Sequence, residues 1–135
     1  MIKFRAWNKV DKLMTVPLDI QLGSDGYIYW IEAMGLNGEH DEGDLDVFKL
    51  EQFTGLKDVN GRDIYEGDIV RYTNWTDHVG IVKYFKPEFG LQNIGVNVDI
   101  APVLNMRHEM RIIGNIHENP ELLEAEKAFL KKHSN

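Results

Sequence analysis

Apolar residues recur at alternate positions from the start of this chain, the period of a strand with one face buried. Ile2, Phe4 and Ala6 share one face, with Lys3 and Arg5 on the other. Asn8-Lys9-Val10-Asp11-Lys12 supplies a turn, so Leu13-Met14-Thr15-Val16 returns as a second strand. Pro17 has no N–H to donate and limits how far that strand can pair centrally. After Gly23-Ser24-Asp25-Gly26, the aromatic and β-branched run Tyr27-Ile28-Tyr29-Trp30-Ile31 predicts a third strand. Residues 35–46 are polar, acidic and glycine-spotted, which predicts a surface loop. That loop divides a β-rich region over 1–46 from a second region over 47–135. Val47 to Phe53 fits a short helix as well as a strand.

The densest patterning lies between Gln52 and Val70. Two turn signals, Asn60-Gly61 and Glu66-Gly67-Asp68, sit between apolar residues that alternate as strands do. Glycine and asparagine enter positive-φ conformations cheaply, so the spacing predicts a chain that reverses twice in quick succession. Gly55, Asn60, Gly61, Gly67, Asp68 and, further on, Gly114 are the expected structural turn positions. Ile69 to Tyr72 and Val79 to Phe85 read as strands joined by a loop from Thr73 to His78. Pro87-Glu88-Phe89-Gly90 reads as a turn, Ile94 to Ile100 as a cleanly alternating strand, and Met110 to Ile116 as the last strand. The ending changes period. Asn119 suits an N-cap, Pro120 the first helical position, and Leu122, Ala125 and Phe129 share one face. Glutamates gather at the helix start and Lys127, Lys131 and Lys132 towards its end, as the helix dipole favours. Short strands at this spacing, closed by a helix, predict a mainly β fold: a small barrel or strongly bent sheet.

Composition narrows the function classes. The chain has 135 residues, no cysteine and a net charge of −7. Without cysteine there is no disulfide framework and no thiolate zinc site. The acidic balance opposes phosphate-driven binding to nucleic acid or anionic membrane. No apolar run is long enough to span a bilayer and no signal-peptide pattern opens the chain, so the expected location is the cytoplasm.

The chemical candidates are few. Glu39-His40-Asp41-Glu42-Gly43-Asp44 with Asp46 is rich in hard oxygen ligands, yet it lacks the register of a calcium loop and reads as a solvated acidic loop. The five histidines have no i, i+4 pair that would hold zinc. Glu66 and Asp68 could split acid and base roles, but turn-forming carboxylates are the commoner case. No catalytic residue, metal ligand or cofactor-binding residue is therefore assigned. The stretch from Arg71 to Phe89, with Tyr72, Trp75, Lys83, Tyr84, Phe85 and Lys86, mixes cations and aromatic rings as single-strand binders do. Strand alternation sends half of those rings inward. Trp75 is different, because it sits in a polar loop where the core has less claim on it. Trp75, Tyr72 and Phe89 are the candidate interface residues.

Four blocks carry a family resemblance. Ile2-Lys3-Phe4-Arg5-Ala6-Trp7, then Gln52 to Asp58 with Asn60-Gly61, then Ile64-Tyr65-Glu66-Gly67-Asp68-Ile69-Val70, and finally Ile113 to Leu123 resemble the YopX family of bacteriophages and Gram-positive prophages. The resemblance implies an SH3-type small barrel in the C-terminal part and a phage or prophage setting. It brings no activity, cofactor or catalytic residue. The expectation is a non-catalytic accessory protein that contacts a host or phage protein, or a second copy of itself. The alternatives are a nucleic-acid-associated module using the Arg71 to Phe89 surface, and a hydrolase or metal enzyme.

Overall fold

The structure is a computed structural model that describes residues 3–73, 77–85, 88–93 and 109–133. It is mainly β, with two antiparallel sheets and one short C-terminal helix. The chain forms two compact units, 1–53 and 54–135.

The first unit holds β1 (Phe4–Asn8), β2 (Leu13–Leu22), β3 (Ile28–Met34), β4 (His40–Gly43) and the opening of β5 (Phe48–Lys57), in the spatial order β4-β3-β2-β1-β5. Alternation places Ala6, Ile31, Ala33 and Phe48 on the inner face, where they form its buried core. Two expectations change here. The acidic segment is not all loop, because β4 lies within it and pairs with β3 from Met34↔His40 to Ile31↔Gly43. All of the ambiguous segment except Val47, which lies in the preceding turn, resolves as strand, since β5 pairs with β1 from Asn8↔Phe48 to Phe4↔Gln52. β2 runs on past Pro17, but β1 pairs with it only from Leu13 to Thr15, so pairing on that side stops before the proline, as its missing N–H led us to expect. The register with β3 then slips between Pro17 and Asp19, leaving Leu18 as the extra residue of a bulge.

Polar groups tie the first hairpin. Asn8 is 1% exposed. Its Oδ1 accepts the Val10 and Asp11 amides at 2.9 and 2.8 Å, and its Nδ2 donates to Asp41 Oδ2 at 2.7 Å. Lys12 completes the reversal with φ +57°. Arg5 Nε donates to the buried Glu51 carboxylate at 3.0 Å, so this interior charge has a partner.

The second unit contains the end of β5, β6 (Asp63–Tyr65), β7 (Asp68–Thr73), β8 (Asp77–Phe85), β9 (Glu88–Asn93), β10 (Glu109–Asn115) and α1 (Pro120–His133). Its sheet has the order β10-β7-β8-β9. One face carries Val70, Val82, Met110 and Ile112, which join Ile64 and Leu91 in a core. The other carries Ile69 and Val79, covered by Ile113, Ile116, Leu122 and Leu123. The helix docks through Leu122 and Leu123, while Phe129 stays 54% exposed. The expected turn at Pro87 to Gly90 lies largely in β9, which starts at Glu88 and pairs with β8. The strand expected over Ile94 to Ile100 lies outside the described residues.

Candidate functional site

The turns of the second unit are organised by buried side chains. Asp58, 7% exposed, accepts the Asn60 and Arg62 amides on Oδ1, both at 2.9 Å, and the Ile112 amide on Oδ2 at 3.1 Å. Burial alone would raise its pKa. Those three N–H groups and the nearby Arg62 charge favour the carboxylate, and the net result lies below the usual 3.8. Asn60-Gly61 forms the tip of this turn, with Gly61 at φ +80° donating to the Asp58 carbonyl at 3.0 Å. At the next reversal Gly67 has φ +89°. Its amide donates to the Val82 carbonyl at 2.9 Å, and its carbonyl accepts the Ile116 amide at 3.0 Å. Asp68, 2% exposed, accepts the Tyr65 amide at 2.8 Å. This carboxylate, weighed above as half of an acid–base pair, is engaged as a structural acceptor.

Gly55 and Gly114 are not at chain reversals. Gly55 lies inside β5 with φ +89°, and Gly114 lies inside β10 where the register with β7 shifts. A Cβ on Gly114 would meet Asn119 Oδ1 at 2.6 Å, so the glycine makes room for that side chain. Asn119 Oδ1 accepts the Asn115 amide at 3.2 Å, which turns it back to the strand. Asn115 holds the intervening turn, accepting the His117 and Glu118 amides at 3.0 and 2.9 Å. Asp58 and Asn115 were not singled out by the sequence, and Asn8 was expected only as part of a turn. The available signal was an Asp or Asn two to four residues before the amides it accepts, the spacing of side-chain-mimicked turns.

Of the candidate interface residues, Trp75 lies outside the described residues, and only the backbone of Tyr72 is described. Phe89 is half-buried against the core, its ring 5.1 Å from that of Tyr84. The β7–β8–β9 register puts Arg71, Val79 and Lys83 on one face and Tyr84 and Phe89 on the other. Described cations and rings of this stretch thus do not share a surface.

Two surfaces stand out. On the first unit, β2, β3 and their flanks expose Leu18, Leu22, Tyr27, Tyr29 and Leu36, at 56–82%. The outer face of the same strands aligns Asp19, Glu32 and Glu42 in one cross-strand row, since Asp19 pairs with Glu32 and Glu32 with Glu42. On the second unit, a cleft of about 320 Å³ runs beside α1, walled by Val79, Ile113, Leu122, Ala125 and Phe129. Arg71 and Glu126 also line it. Among the described residues no three His, Asp or Glu side chains are placed to hold a metal ion. No described helix is long and apolar enough to cross a membrane.

No curated protein matches the chain. Among solved structures it is similar to protein EF1440 from Enterococcus faecalis, with 27% identity, a TM-score of 0.64, and coverage of 91% of this chain and 98% of that one. The family description "YopX protein" matches residues 3–124, which include the Asp58 turn, the Gly67 reversal and the Asn115 turn. The chain belongs to the YopX family.

Proposed function

We propose that this protein is a non-catalytic accessory protein of a phage or prophage that works in the bacterial cytoplasm through protein–protein contacts. The observation that carries the reading is the apolar exposure along β2 and β3. Leu18, Leu22, Tyr27, Tyr29 and Leu36 are more than half exposed on adjacent strands and their flanks. Tyrosine is enriched at protein interfaces, and exposed leucines beside it supply apolar area for a partner to cover. The phage setting rests on the family. The finer architecture proposed for the second unit is an SH3-type small barrel, supported by the short, bulged strands around the Ile64–Val82 core.

The test places a photo-crosslinking amino acid at Tyr29, at Trp75 and, as a control, at Glu124. Protein adducts, to a host or phage protein or to a second copy, are expected at the first two positions. Trp75→Ala should weaken the association by about 2 kcal/mol, roughly thirtyfold, if that ring is a hot spot. Adducts to nucleic acid alone would transfer the reading to a nucleic-acid module. Substrate turnover abolished by Asp68→Asn or Glu66→Gln would replace it with an enzyme.

A further inference from the structure

We propose that the cleft beside α1 binds a small monocarboxylate with an apolar body, its head held between Arg71 and Arg111. The proposal does not depend on the surfaces assigned to protein contact.

Register is the starting point. Arg71 on β7 and Arg111 on β10 are directly opposite each other, on the helix-facing side of the sheet. Like charges in that position repel, since facing side chains on antiparallel strands begin only about 5 Å apart. Both side chains are exposed, and neither forms an ion pair among the described residues. A single anion between the two guanidinium groups would relieve the repulsion. Their planar forks match carboxylate geometry.

The cleft supplies the rest of the recognition. Its volume, about 320 Å³, falls at the small end of ligand pockets. The walls are apolar: Val79 and Ile113 from the sheet, Leu122, Ala125 and Phe129 from the helix. Phe129 is 54% exposed, so its ring has surface left for a ligand to cover. Glu126 decides between anions. With Arg71, which lines the cleft, and Arg111, which faces Arg71 across the strands, it leaves these three described side chains with one net positive charge, which suits a monoanionic carboxylate better than a phosphate monoester, close to dianionic at neutral pH.

The experiment is an amide NMR titration of the full chain with octanoate, with octan-1-ol as the neutral control and octyl phosphate as the dianion. Saturable shifts confined to the region of residues 71, 79, 111, 113 and 122–129 are expected with octanoate, at least tenfold tighter than with octanol. Arg71→Gln and Arg111→Gln, both at exposed positions, should each weaken octanoate at least fivefold and leave octanol unchanged. Glu126→Gln should shift the preference toward octyl phosphate. Equal affinity for octanoate and octanol, shifts elsewhere on the chain, no saturable binding, or full affinity in the Arg71→Gln, Arg111→Gln double variant would each overturn the proposal.

Discussion

At the scale of single residues, this fold depends on a few buried polar side chains that replace backbone partners in turns. Asp58 is the clearest, because one carboxylate receives three amides, one of them from β10. Its folded pKa lies below 3.8, so the unfolded chain takes up a proton first as pH falls. The stability it contributes is complete above that value and is lost as pH drops through the folded pKa. Asp58→Asn turns an NH2 group toward an amide and should cost about 1–3 kcal/mol at neutral pH. Urea titrations should also show stability of the variant falling less steeply below pH 3.8 than that of the parent. Gly67 acts through its backbone. At φ +89° a β-branched side chain is strained, and Gly67→Val should destabilise by about 1–3 kcal/mol in the same assay.

At the scale of elements, the outer face of β2–β3–β4 carries an unfavourable arrangement. Asp19, Glu32 and Glu42 stand in one row across three strands. Gln21 Nε2 donates to Asp19 at 3.0 Å, and His40 Nε2 lies 3.3 Å from Glu42. No cation pairs with the central Glu32 among the described residues. Glu32→Gln should therefore stabilise the protein by about 0.2–1 kcal/mol, with the gain shrinking at high salt as the repulsion is screened. A loss of stability on that substitution would show that Glu32 is held by favourable contacts. The charged row also guards a sheet edge, since β4 is the terminal strand and charged edges resist pairing with other chains.

At the scale of the whole molecule, two compact units each carry their own buried core and a different kind of surface among the described residues. Among the described residues, exposed apolar groups concentrate in the first unit, whereas the paired arginines lie in the second. Association through the apolar surface should change little between 50 mM and 200 mM salt, as measured by sedimentation. Binding driven by several phosphate contacts would fall by orders of magnitude over that range. A steep loss with salt would thus count against the protein-contact reading.

Much of this fold was legible along the chain, because strand alternation and turn chemistry are local properties. The first hairpin, the double reversal from Gln52 to Val70 and the C-terminal helix follow from period two, Asn-Gly and Gly-Asp turns, and a Pro-led run of period 3.6. The misreadings came where a local rule met a tertiary partner. Residues 40–43 look like loop because they are acidic, yet β3 offers them an edge to pair with. Phe129 looks like core by helical spacing, yet the sheet beneath α1 is covered by Leu122 and Leu123. The sequence alone determined the element types and their turns, which depend on each residue and its near neighbours. Register decided which charges face one another, and Asp58 and Ile112, or Arg71 and Arg111, meet only once the strands have paired.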